Sequence, residues 1–207
     1  MPRTMPQILL PRGGAKPVLA VMAVLAALAV SILVPAGGFA RAEGTQTAAA
    51  ALPEIRLAVA EMQVIPAYAS PRRPPNVEHK FRKSPQALAA AWGRARVRAV
   101  GTLNRARVII LEASVVEVPV KGKSSLFRRG PDRRYDAKLT LALQIRDDIG
   151  TLKAKAQATA TRSQEVLKGV RGDRLKAIWH DLAEKLVADA VRELDRQVRR
   201  RLAQHVR

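Results

Sequence analysis

The stretch Asp136–Arg162, DAKLTLALQIRDDIGTLKAKAQATATR, reads as a β-hairpin, and that reading decides the fold. Ala137, Leu139, Leu141, Leu143 and Ile145 alternate with Asp136, Lys138, Thr140, Gln144 and Arg146, the period-two pattern of a strand with one apolar and one wet face. Leu152, Ala154, Ala156, Ala158 and Ala160 alternate in the same way with Lys153, Lys155, Gln157, Thr159 and Thr161. Asp147-Asp148-Ile149-Gly150 between them suits a tight turn, so the two strands run antiparallel. The alanine face of the second strand leaves room for a large element to press close.

Downstream, that element is a helix. Leu175, Ile178, Trp179, Leu182, Leu186, Val187, Ala190, Val191, Leu194, Val198 and Leu202 recur at three- and four-residue steps after a cap at Gly172-Asp173. From Arg174 to about Gln204 it spans roughly 45 Å, against about 20 Å for a strand of usual length. Its last turns, with Arg196, Arg199, Arg200 and Arg201, are therefore expected to project past the sheet. Val191, Leu194 and Val198 are the candidate face for a protein partner on this helix.

Upstream, Arg107–Val118 is apolar on both parities through Val108-Ile109-Ile110-Leu111, as suits a strand inside the sheet. Ser84-Pro85 starts a short amphipathic helix that ends near Gly101, with Trp92 as its anchor on the sheet. Ser70-Pro71-Arg72-Arg73-Pro74-Pro75-Asn76 is an extended connection. Ile55 to Ile65 reads as a strand with an irregularity near Glu61, where the apolar parity changes. The order β-α-β-β-β-α indicates an α+β fold, a mostly antiparallel sheet of about four strands with two helices packed on one face.

This single domain occupies 52–207, behind a small-residue linker at 43–51 and a leader at 1–42. Arg3, Arg12 and Lys16 make the leader basic, and Val18 to Val34 is an unbroken apolar run apart from one Ser. Pro35-Ala36-Gly37-Gly38 breaks the helix, and Ala40-Arg41-Ala42 offers small residues where a signal peptidase needs them, so cleavage is expected before Glu43. The competing reading is an uncleaved inner-membrane anchor, since 17 apolar residues sit at the lower edge of a bilayer span. Either way the domain is expected in the periplasm.

The chain has no cysteine, which excludes disulfides, thiol chemistry and cysteine-bound zinc. It carries 37 basic and 17 acidic residues, a net charge of +20; without the leader, 33 against 17 remain. A surface of that sign attracts anions. In the expected compartment these are lipid headgroups, lipopolysaccharide phosphates or an acidic envelope protein, and no nucleic acid is expected as a partner. Genome base composition, which can by itself make a protein rich in arginine and alanine, is the competing account of the charge.

The loop Pro119–Arg134 concentrates that charge. Lys121, Lys123, Arg128, Arg129, Arg133 and Arg134 surround an apolar tip containing Phe127, an arrangement that suits an anionic membrane surface or an acidic partner. The competing reading is a plain hairpin loop with Phe127 folded back on the core. Catalytic and metal chemistry is poorly supported. His79, His180 and His205 have no partners at ligand spacing beyond His180-Asp181, and Gly122-Lys123-Ser124 lacks the first glycine of a phosphate loop, Glu117 standing there. No catalytic residue, metal ligand or cofactor site is assigned. An enzyme would require the fold to bring His79 or His180 beside a carboxylate in a polar pocket.

The order of elements resembles the lipopolysaccharide-assembly lipoproteins and the auxiliary lipoproteins of ABC-type lipid transport systems. The stretches Arg73-Pro74-Pro75-Asn76-Val77-Glu78-His79, Tyr135-Asp136-Ala137 and Thr161-Arg162-Ser163 also look like those of exported Gram-negative envelope proteins of unassigned function. The resemblance runs from Leu52 to the C-terminus. It departs at Ala42-Glu43, where those lipoproteins carry a lipidated cysteine. It implies a non-enzymatic accessory role in envelope assembly or lipid transport, held in place by charge or by a protein partner.

Overall fold

The computed structural model describes residues 52–120 and 130–207. β4 (Arg105–Pro119), β5 (Pro131–Arg146) and β6 (Leu152–Leu167) form an antiparallel meander, and β2 (Glu61–Pro66) lies parallel to β4, giving the order β2-β4-β5-β6. The alternation in the hairpin holds through the whole pair. Tyr135, Ala137, Leu139, Leu141, Leu143 and Ile145 are buried on one face, opposite Ala156, Ala158 and Val166. The other face carries Thr140 Oγ1 3.0 Å from Thr159 Oγ1, and a Lys138–Glu112 ion pair at 3.0 Å.

Helix α1 (Pro85–Arg96) and helix α2 (Gly172–Arg201) cover the apolar face. Ser84 caps α1 by accepting the Ala87 N–H, and Pro85 occupies its first position, where a missing N–H costs nothing. Trp92 is buried, and Gly93 lets the helix approach Val64, whose methyl lies 3.0 Å from where a Cβ would stand. The fold class is thus α+β with both helices on one face of a four-stranded sheet.

Several local expectations change. The stretch from Ile55 to Ile65 is two strands in two sheets. β1 (Ile55–Leu57) pairs in parallel with the short β3 (Val97–Ala99), and the chain crosses to the main sheet at Ala58–Ala60. In β4, Leu111 is an extra residue between Ile110, opposite Leu141, and Glu112, opposite Thr140. This bulge explains the double-parity apolar run: Val108 and Ile110 face the core before it, Ala113 and Val115 after it, and Leu111 turns outward. Asp173 does not cap α2, which starts without a side-chain cap; Asp173 pairs with Lys176 instead.

The end of α2 does not project. The three meander strands are 15 or 16 residues long, about 50 Å each, and match the helix. Val191, Leu194 and Val198 are 0% exposed, so the proposed partner face is corrected to the chain's own core. Leu202 is buried too, and the C-terminal residues run along β1, with Ala58 N–H donating to the His205 carbonyl and Arg207 N–H to the Arg56 carbonyl. No helix among the described residues is long and apolar enough to cross a membrane. The expected leader and the residues around its cleavage point, Ala40, Ala42 and Glu43, lie outside the described residues.

Candidate functional site

After Pro66 the chain leaves β2 and runs beside the far half of β4. Val77 N–H donates to the Val115 carbonyl, and Glu117 N–H to the Pro75 carbonyl. Two anchors fix this connection. The first is Glu78, buried against β4. Its Oε1 accepts from the Ser70 hydroxyl at 2.6 Å and the Tyr68 hydroxyl at 2.9 Å, and its Oε2 from the Val115 N–H at 3.2 Å and the Asn76 amide at 3.5 Å. Burial by itself raises its pKa, but the bonds from Ser70, its own N–H, Tyr68 and Val115 outweigh this and hold it below the ordinary carboxylate value. Tyr68 moves the other way: burial first, then its bond to Glu78 and the charges of Glu78 and Glu112, push its pKa up.

The second anchor is Phe81, stacked on Trp179 of α2 with centroids 5.0 Å apart and planes 7° from parallel. Tyr135 meets the same indole edge-on at 5.7 Å. Such pairs contribute about 0.5–1.5 kcal/mol each beyond their area. Tyr135 Oη and Trp179 Nε1 are both buried, and among the described residues neither has a partner at hydrogen-bonding geometry, although Arg133 and Glu117 lie close enough to the Tyr135 hydroxyl to influence it.

Around the anchors the sequence is basic. Its one carboxylate is turned inward, so Arg72, Arg73, Lys80, Arg82 and Lys83 stay exposed, and among the described residues none of them forms an ion pair. Arg72 sits at φ 54°, a conformation uncommon for a side-chain-bearing residue, beside Ser70, whose Oγ accepts the Arg72 N–H. A groove of about 490 Å³ opens here, lined by Tyr68, Arg72, Glu78, His79, Arg82 and Gln86 among others. A second, of about 470 Å³, lies between Arg82, Lys83, Lys176 and His180. Arg82 and Lys83 form the ridge between the two.

These cations were not singled out in the sequence. The signal was present: Arg72 to Lys83 holds five Lys or Arg residues against Glu78 alone. Of the residues that were singled out, Arg133 and Arg134 are engaged internally. Arg133 bonds Asp132 at 3.1 Å and the Val170 carbonyl, and Arg134 makes two 2.8 Å bonds to Asp136. Lys121, Lys123, Phe127, Arg128 and Arg129 lie outside the described residues.

His79 does line a polar groove that contains a carboxylate, the arrangement an enzyme would require. No hydrogen bond joins the two, however, and both Glu78 oxygens are already occupied. His180 Nε2 stands 3.3 Å from Glu184 Oε1, one helical turn away. No group of three His, Asp or Glu side chains among the described residues could hold a metal. What the arrangement offers chemically is a positive surface held in place by the two anchors, with His79 lining the first groove and His180 the second.

No family model and no curated protein matches the chain. Among solved structures it is similar to a minor lipoprotein from Acinetobacter baumannii, at 14% identity and a TM-score of 0.40, covering 70% of this chain and 96% of that one. A protein described as a lipoprotein from Caulobacter crescentus CB15 gives 12% identity and 0.35, covering 65% and 86%. One described as a neuraminyllactose-binding haemagglutinin homologue from Helicobacter pylori gives 8% and 0.40, covering 69% and 89%. At these TM-scores the neighbours lend no function to this chain.

Proposed function

We propose that this chain is an exported, non-enzymatic accessory protein of the cell envelope that binds a phosphate-bearing anionic component, lipid or lipopolysaccharide, at the end of the sheet where β2 leads into α1. One observation carries this reading. The connection is pinned by Glu78 on β4 and by Phe81 on α2; it lines two grooves with Arg72, Arg82 and Lys83, holds Arg73 and Lys80 exposed beside them, and among the described residues none of the five forms an ion pair. Holding like charges together costs stability unless an anion completes them, and pre-organised cations lose little entropy when it binds. The leader supplies the compartment. β4 ends and β5 begins at this end of the sheet, so the reading extends to the cations that lie between them in sequence, Lys121, Lys123, Arg128 and Arg129, together with Phe127.

Co-sedimentation of the full chain with lipopolysaccharide, and separately with phosphatidylglycerol vesicles, tests the reading and distinguishes the two sources. Arg82→Glu with Lys83→Glu is expected to weaken binding at least about tenfold, each cation near an anionic surface contributing about 1 kcal/mol. Arg128→Glu with Arg129→Glu is expected to add to that loss. Binding that is indifferent to Arg82→Glu/Lys83→Glu and to high salt would sink the proposal.

A further inference from the structure

At the other end of the sheet β4 begins at Arg105, opposite Arg146 at the end of β5, which in turn faces Leu152 at the start of β6. The loop before β4 and the hairpin turn 147–151 are therefore neighbours. Six large apolar side chains among the described residues are exposed, and four of them are here: Val100 and Leu103 in the loop, Ile149 in the turn, and Leu152. Ile149 is 90% exposed and Leu103 66%. Scattered apolar exposure needs no explanation, whereas apolar side chains gathered at adjacent loop tips do.

The same end carries a row of arginines. Arg56 and Arg98 are register partners in the β1–β3 pair. Leu57 bridges Val206 antiparallel, and Arg207 N–H donates to the Arg56 carbonyl at 3.0 Å, which puts Arg207 on the other side of Arg56. All three are exposed, and among the described residues none has an ion-pair partner. Like charges directly opposite one another across strands destabilise a sheet. Of the acids nearby, Glu61 is paired with Arg105 and Asp147 with Lys153, leaving Asp148 and Glu54.

Backbone hydrogen bonds tie this corner together. Val100 N–H donates to the Leu57 carbonyl, Gly101 N–H to the Val59 carbonyl, and Ala60 N–H is shared between the carbonyls of Leu103 and Asn104. The loop carrying Val100 and Leu103 is thus held to the strand carrying Arg56 by backbone.

We infer that this end is a docking surface for an anionic lipid bilayer, in which Ile149 and Leu103 enter the interfacial layer while Arg56, Arg98 and Arg207 hold lipid phosphates. A tip of a few aliphatic side chains binds a bilayer only marginally by itself, and a short arginine row does the same, so the pair of features is what makes a docking site. The inference goes beyond the proposed function and does not rest on it, because the basic grooves lie at the opposite end of the strands.

The absence of cysteine makes a clean test possible in the full chain. Ile149→Cys carries an environment-sensitive fluorophore, and Thr161→Cys, exposed in mid-sheet, carries the control. Vesicles of phosphatidylcholine mixed with phosphatidylglycerol are compared with phosphatidylcholine alone. Emission at position 149 is expected to rise roughly threefold and shift to the blue on the mixed vesicles only, with position 161 unchanged. Arg56→Glu with Arg98→Glu should abolish the response, with Arg56→Gln/Arg98→Gln as the milder pair if circular dichroism shows the first misfolded. Read at saturating vesicle concentration, the response of Arg82→Glu/Lys83→Glu should be intact, so failure here and failure of the groove reading are separable. The inference is overturned if position 149 stays silent on the mixed vesicles, if it responds equally on neutral ones, or if position 161 responds as strongly.

Discussion

Glu78 is the residue whose removal would be felt first. It accepts four hydrogen bonds at the point where the basic connection meets β4, and Glu78→Gln leaves donors facing an amide that can accept only through one oxygen. A loss of about 1–3 kcal/mol at neutral pH is expected, read as a lower urea midpoint. The pH dependence has a definite sign. Glu78 titrates below its ordinary value in the folded state. Its contribution is therefore complete above the unfolded pKa of roughly 4.3 and fades as pH falls through the lower folded value. The wild-type and Glu78→Gln midpoints should converge in that acid window, and parallel curves would show that the carboxylate is not the tie described. Tyr135 gives the opposite case. Its hydroxyl is buried with no well-aligned partner among the described residues, so Tyr135→Phe should be close to neutral, within about 1 kcal/mol, checked by thermal melting.

Among the elements, α2 supplies core along most of its length, and Leu194→Ala should cost about 2–5 kcal/mol as a buried side chain leaves a cavity beneath the helix. A smaller residue tests the corner at the opposite end from the grooves. A Cβ on Gly101 would stand 2.5 Å from the Ala58 carbonyl carbon and 2.7 Å from the Val59 nitrogen. Backbone cannot yield there as a side chain would, so Gly101→Ala should destabilise by about 1–3 kcal/mol. Because it would pry β1 from the loop holding Leu103, it should also weaken binding to anionic vesicles, whereas the structurally milder Leu103→Ser should weaken binding with little change in melting.

At the scale of the whole molecule, strands of about 50 Å separate two positive ends, one built from the β2–α1 connection and one from the β1–β3 corner. Screening acts on both, so association with anionic partners should fall steeply as salt rises past the Debye regime of about 0.1 M. The two ends should respond differently in detail. The groove end offers cations around cavities, and the corner offers them beside apolar tips, so only the corner should keep a residual salt-resistant part.

Much of this was legible along the chain. The hairpin, both helices and the one-faced layering follow from local periodicity, because a period of two or 3.6 states which side chains share a face wherever the chain is regular. The bulge at Leu111 was not legible, since an extra residue in a uniformly apolar run leaves no change of pattern. Periodicity also marked Val191, Leu194 and Val198 as an apolar stripe, but it could not say what covers them; that depended on strands longer than usual. The cationic sites were the least legible. Arg82 lines one groove with Lys176 and His180, some ninety residues on in sequence, and Arg56, Arg98 and Arg207 come from three distant segments. The sequence by itself determined the element types, the fold class and the overall charge, which are sums over local choices. Only the tertiary structure decided which carboxylates neutralise which cations, and so which cations remain free to bind, because ion pairing depends on distances that separate parts of the chain acquire only when packed together.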